Sequence, residues 1–155
     1  MLQIPTKFFV TSGKAVSKVT DLNAFDLALL NAGVGEQNLV SLSSILPIGV
    51  KETRRRVLPM GAITPCILAQ QRGSEGETIS AGIGFGFRTD GKGGYVVEGH
   101  GYMNKKAIRE ILEWKLREMV KLRGVELRSI EYKIEELSIP MDHYGVCLAA
   151  LVFLD

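Results

Sequence analysis

Cysteine and histidine are scarce, with two of each in 155 residues: Cys66, Cys147, His100 and His143. Two thiols are too few for the disulfide framework of a small secreted domain, and both sit in apolar runs, so buried reduced thiols are expected. Neither histidine pairs with a cysteine at ligand spacing, and CxxC and HxxxH are absent, so no metal is expected. Long hydrophobic stretches are missing as well. The longest apolar run, Val146 to Leu154, falls far short of the ~20 residues of a membrane helix, and residues 1–10 carry no secretory pattern. A soluble, cytoplasmic protein without a membrane partner is the expectation. Excess charge of one sign is also lacking: 19 Lys and Arg face 17 Asp and Glu, a formal +2. Arg54-Arg55-Arg56 is too short for a nucleic-acid arm and reads as a solvated loop, so no nucleic-acid partner is expected. No G-x-S-x-G occurs. The glycines of Gly82 to Gly86 alternate through a strand instead of opening a helix, which argues against a dinucleotide fingerprint.

What is present is apolar surface and glycine. The chain is 46% hydrophobic and 23% charged, enough for a real core. Glycine stands at 17 residues, about 11% against an average near 7%. Strands are predicted over Lys7–Thr11 (ended by Ser12-Gly13), Asn38–Ile45, Ala62–Gln70, Thr78–Phe87, Tyr95–Glu98, Glu126–Leu137 and Val146–Leu154. The last of these, without polar residues, should be buried on both faces. In Thr78–Phe87 the odd positions Ala81, Ile83, Phe85 and Phe87 are apolar and Gly82, Gly84 and Gly86 fall between them, so another layer can approach one face closely. A first helix should run from an Asp21 or Asn23 cap to about Ala32, with Leu22, Phe25, Leu29 and Leu30 as its stripe. A second, Lys105 to Leu122, has Asn104 as cap, Ile108, Ile111, Leu112, Leu116, Met119 and Val120 as stripe, and Gly124 as stop. Six or seven strands and two helices without a linker predict one α/β (α+β) sandwich domain, residues 1–155, with mostly antiparallel sheets.

Three features invite a chemical reading. Ser43-Ser44 ends an apolar strand, with Ile45 and Pro47 beyond. Asp26 places a carboxylate in an apolar helix, and Glu98 ends a strand of small and apolar residues. Taken singly, a serine pair is common, and Asp26 and Glu98 read as surface carboxylates.

The blocks around them resemble the pyruvoyl-dependent arginine decarboxylases. They are Leu22-Asn23-Ala24-Phe25-Asp26, Leu29 to Gly33 with Gly35 and Asn38, Ser43-Ser44-Ile45 with Pro47, Pro59-Met60-Gly61-Ala62 with Pro65, and Gly76 to Ala81. Five blocks in register are specific where each alone is weak. Ile48 stands where a second proline can occur, away from the chemistry.

The resemblance implies a proenzyme that cleaves itself between Ser43 and Ser44 into chains 1–43 and 44–155. The Ser44 hydroxyl attacks the Ser43 carbonyl, the ester is lost by β-elimination, and residue 44 ends as a pyruvoyl group. The cofactor is thus self-derived, with no pyridoxal phosphate and no metal. Asn38 matches the residue that assists cleavage by polarising the Ser43 carbonyl. Glu98 matches the acid that returns a proton to Cα, for which an apolar setting is expected. Asp26 matches the carboxylate that takes the guanidinium of L-arginine through paired hydrogen bonds. The implied fold is a four-layer αββα sandwich assembled as a homotrimer, with a dimer of trimers as the larger alternative, and the implied product is agmatine, for polyamine synthesis. Two other readings stay open: a pyruvoyl decarboxylase for another amino acid such as histidine, and an uncleaved trimeric ligand-binding homologue.

Overall fold

The computed structural model describes all 155 residues. Its elements run β1 (Lys7–Ser17), α1 (Asp21–Asn31), β2 (Asn38–Ser41), β3 (Ile45–Leu46), β4 (Lys51–Glu52), β5 (Ile63–Ser74), β6 (Thr78–Phe87), β7 (Gly94–Gly101), α2 (Lys105–Arg123), β8 (Glu131–Ser138) and β9 (Tyr144–Leu154). Nine strands form, against six or seven expected. They make a five-stranded sheet ordered β2-β5-β9-β1-β4 and a four-stranded sheet ordered β3-β7-β6-β8. Only the edge pairs β1–β4 and β2–β5 are parallel; the rest are antiparallel.

Three apolar clusters define the layers. Phe8, Ile67, Ile83, Val96 and Leu151 fill the space between the sheets. Ala24, Ala28, Val34, Leu148 and Val152 join α1 to the five-stranded sheet. Tyr95, Val97, Ile108, Leu112 and Leu116 join α2 to the four-stranded sheet. The expected αββα sandwich is therefore the observed architecture. Alternate residues of β9 enter two different clusters, which is why that strand tolerates no polar side chain. The glycine row behaves as its spacing predicts. Ala81, Ile83 and Phe85 enter the inter-sheet core, while a Cβ on Gly82 would lie 2.7 Å from Ile134 and 3.1 Å from Leu112. Leu112 of α2 thus packs directly on strand backbone.

The helix ends follow local chemistry. In α2, Asn104 Oδ1 accepts from the Ala107 N–H at 2.9 Å, and Gly124 ends the helix at φ +65°. In α1 the cap is Thr20, one residue before Asp21 and three before Asn23, the expected candidates, with its Oγ1 accepting from the Asn23 N–H at 3.0 Å. The buried face of α1 also differs from the expected leucine stripe. Ala24 and Ala28 are buried, Phe25 and Leu29 are half-buried, and Leu22 and Leu30 face solvent. Gly13 explains this: β1 does not end there but passes beneath the helix, where a Cβ would sit 2.2 Å from the Ala28 carbonyl oxygen. A helix seated this close can bury only small side chains, and its leucines turn outward.

The segment expected as one strand, Asn38–Ile45, is two. β2 pairs with β5, and the Leu42 N–H donates to the Cys66 carbonyl at 2.8 Å. The Ser44 carbonyl then accepts from the Val96 N–H at 2.8 Å, and β3 pairs with β7. Leu42 to Ser44 therefore cross from the edge of one sheet to the edge of the other.

Candidate active site

The crossing sets the geometry around Ser43-Ser44. Ile45 pairs with Tyr95 and Leu46 with Gly94, so the next rung places Ser44 opposite Val96. Directly opposed residues of an antiparallel pair share a face, and Val96 faces the inter-sheet core. Glu98, two residues on, faces the same way. Ser44 and Glu98 are thus diagonal neighbours, with Cα atoms about 7–8 Å apart. The close seat of β3 depends on Gly93, whose φ is +88° and whose Cβ would lie 2.5 Å from the Leu46 carbonyl oxygen. Ser44 is half-buried and Ser43 exposed.

Glu98 lies where β7 becomes an open edge. The Arg88 N–H bond to the Gly93 carbonyl sets the alternation by which Val96, Glu98 and His100 point their backbone groups away from β6. Beyond Ser44 no strand covers them. Lys115 of α2 closes the gap, its Nζ donating to the Glu98 carbonyl at 2.7 Å. The Glu98 side chain is exposed in the single chain, so the apolar setting expected from its sequence neighbours is not formed by this chain alone. Its carboxylate is nonetheless felt across the gap: burial first, then the Glu98 charge, pushes the Cys66 thiol up to about 11. Cys66 pairs with Ser41 in the β2–β5 register and packs in the cluster on the α1 side of the sheet.

Asn38 and Asp26 are not brought into this group within one chain. Asn38 opens β2, and Ser43 lies five positions on, beyond the end of that strand at Ser41. Its Nδ2 donates to the Gly61 carbonyl at 2.9 Å. Asp26 is exposed on α1, and the five-stranded sheet separates α1 from the gap that Glu98 faces. Clefts of the single chain do not unite these residues either. One of about 560 Å³ is lined by Leu42, Arg56, Ile63, Phe153 and Asp155 among others. Another of about 550 Å³ lies between α2 and residues 125–132. Neither is lined by Ser44 or Glu98.

A family model described as pyruvoyl-dependent arginine decarboxylase matches residues 7–155. The chain belongs to that family. Among curated members, the protein of Pyrococcus abyssi is 35% identical over 86% of this chain and 85% of its own length. That of Pyrococcus furiosus is 32% identical over 98% of both chains, and that of Methanocaldococcus jannaschii 36% identical over 96% of this chain and 89% of its own. All three bear the name pyruvoyl-dependent arginine decarboxylase. A solved structure of a pyruvoyl-dependent histidine decarboxylase superposes with a TM-score of 0.53 at 14% identity. It covers 66% of this chain and 55% of its own, a likeness of fold.

Family membership makes the chain a decarboxylase that works with a pyruvoyl group. The geometry around Ser44 fits such a group. The one backbone bond that anchors Ser44 is made by its own carbonyl, to Val96, so residue 44 stays in place whether or not it remains joined to Ser43. Two features of this member lay outside the sequence reading. Lys115 reads from sequence as one more solvated position of an amphipathic helix. His100, whose Nδ1 lies 2.9 Å from Gln71 Oε1, gains meaning only from the partner that β5 brings to it.

Proposed function

We propose that the protein cuts its own chain between Ser43 and Ser44, converts Ser44 into the pyruvoyl group, and decarboxylates L-arginine to agmatine. The observation that carries this reading is the Val96–Ser44 hydrogen bond, which sets Ser44 one diagonal step from Glu98 on the inter-sheet face. The scissile bond lies in the crossing, free of either ladder, where the two new ends can part toward different sheets. A pyruvoyl group supplies a ketone conjugated to an amide, which binds a substrate amine and takes up the electrons released with carbon dioxide. Glu98 holds the proton that Cα needs once the carboxylate has left. Asp26 takes the guanidinium through two parallel hydrogen bonds, a fit an ammonium or an imidazole cannot repeat.

Asp26 reaches this centre from a neighbouring copy in a homotrimer. Supporting this, exposed Leu22, Leu27 and Leu30 accompany Asp26 on α1, and exposed Leu42 and Ile45 flank the scissile bond. Contact between two such patches would also cover Glu98 and give it the dry setting a carboxylic acid needs to stay protonated near neutral pH.

A denaturing mass spectrum tests the cleavage. Fragments 1–43 and 44–155 are expected from the parent and a whole, inactive chain from Ser44→Ala; a parent that stays whole on long incubation refutes the reading. Asp26→Ala should lose arginine turnover by about 10²-fold or more without gaining lysine or histidine turnover, and unchanged arginine kinetics would remove Asp26 from the site.

A further inference from the structure

We infer that His100 returns a proton to Glu98 after each decarboxylation, an inference that rests on the proton-donor role proposed for Glu98. Along β7, Val96, Glu98 and His100 share one face while Tyr95 and Val97 turn toward α2. Successive members of the row are about 6.6 Å apart at Cα. Since Ser44 lies opposite Val96, the order along the strand is Ser44, Glu98, His100, and His100 stands on the side of Glu98 away from the reacting centre. Both Glu98 and His100 are exposed in the single chain.

The orientation of the His100 ring is fixed from the other sheet. Gln71 Nε2 donates to the Arg72 carbonyl at 2.7 Å, which directs Gln71 Oε1 to His100 Nδ1 at 2.9 Å. An amide oxygen has no proton to give, so Nδ1 is the donor in both charge states and the proton that comes and goes sits on Nε2. Few other charges face the ring. Glu98 is on its own strand, and β5 offers the neutral Gln71, since Arg72 turns to Asp21 of α1. β6 offers Ala81 opposite His100. Beyond it on β8, Glu135 is two strand spacings away and is held by Ser12 and Lys14. From α2, Lys115 is bound to the Glu98 carbonyl. Glu98 is therefore the charged group next to the ring on its own face.

The proton account closes. Each turnover replaces the bond from Cα to the carboxylate with a bond to hydrogen, and Glu98 supplies that proton and is left as a carboxylate. The imidazolium passes its Nε2 proton to Glu98 by way of a water, since no hydrogen bond or ion pair joins the two side chains in the single chain, and the neutral ring takes one from solvent. One proton is consumed for each carbon dioxide released. Imidazole suits this relay because it gains and loses a proton near neutral pH.

The chain has only two histidines, so ¹⁵N-histidine NMR reads the ring directly. On the uncleaved Ser44→Ala chain, with His143→Gln for assignment, neutral His100 should be the Nδ1–H tautomer. An Nε2–H tautomer overturns the inference. In the cleaved enzyme, His100→Gln should lower kcat about tenfold, since water replaces the relay poorly. KM for arginine should hold, and added imidazole should restore the rate to His100→Ala. Unchanged kcat, or a loss that imidazole leaves uncorrected in fully cleaved protein, also overturns it. Failure of the underlying reading looks different: full turnover by Glu98→Gln removes the donor itself, whatever His100 does.

Discussion

Gly13→Ala probes the link between the packing of α1 and the substrate site. Gly13 lies mid-strand in β1, opposite Leu148 of β9, with α1 directly above. An added methyl would lie 2.2 Å from the Ala28 carbonyl oxygen and 3.1 Å from Ala32 Cβ, where ordinary contact begins near 3.4 Å. Helix and strand must therefore separate by about 1.2 Å, the gap between those two distances. Both partners at the closest contact are backbone, so no rotamer relieves it, and the cost should lie near the upper end of overpacking, about 3 kcal/mol. Removing a glycine from the unfolded chain returns about 0.4–1 kcal/mol. A net loss of about 2 kcal/mol should lower Tm by roughly 4–8 °C for a domain of this size. Asp26 rides on the displaced helix, so kcat/KM for arginine should fall by up to about 10²-fold, as expected for a misplacement near 1 Å. Cleavage should proceed normally, because the crossing is tied to β5 and β7 and not to α1. Thermal melting in the uncleaved Ser44→Ala background, mass spectrometry and steady-state kinetics give the three readouts. A Tm within a degree of the parent would refute the packing argument. A lowered Tm with unaltered arginine kinetics would separate α1 from the site.

Two further outcomes follow from the core. Leu112→Ala should cost about 2–5 kcal/mol, because Leu112 is fully buried and fills the channel left by Gly82, Gly84 and Gly99; a urea midpoint equal to the parent's would contradict that packing. Burial, ahead of the nearby Glu98 and Glu135 carboxylates, raises the Cys66 thiol from 9.0 to about 11 and the Cys147 thiol to about 12. A raised thiol pKa means the folded state holds its proton more tightly. Its contribution is therefore complete below about pH 9 and is lost as pH rises through the folded values. Stability should fall between pH 9 and 11, with a shallower fall in Cys66→Val, and a Cys66→Val slope as steep as the parent's would show that this thiol does not titrate there.

The five blocks that include Asp26, Asn38 and Ser43-Ser44 were enough to place the chain in its family. The four-layer order came with that resemblance, and the glycine row of β6, the apolar run of β9 and the stripe of α2 agree with it, because each states how many faces an element buries. What escaped that reading arose where distant segments meet. Gly13 reads as a strand end because a Ser-Gly pair is locally a turn signal; only the helix above it reveals a close contact. Asn38 to Ile45 reads as one strand because Leu39, Val40, Leu42 and Ile45 recur with no Gly or Pro between them, and such a pattern along a chain does not say which sheet each half joins. The leucines of α1 looked like core because period alone does not distinguish a face packed on a sheet from one left open.

The sequence by itself determined the family, the order of layers, the helix caps of α2 and the residue types available for chemistry. These are local or periodic properties, written in neighbouring residues. The tertiary structure alone decided that Ser44 and Glu98 share one strand face, that Lys115 of α2 reaches the Glu98 carbonyl at the strand edge, and that Gln71 reaches His100 from the other sheet. It also decided that Asp26 and Asn38 stand apart from it within one chain. Those relations depend on strand register and on which sheet edge the crossing joins, and register is set by packing between residues far apart in the chain.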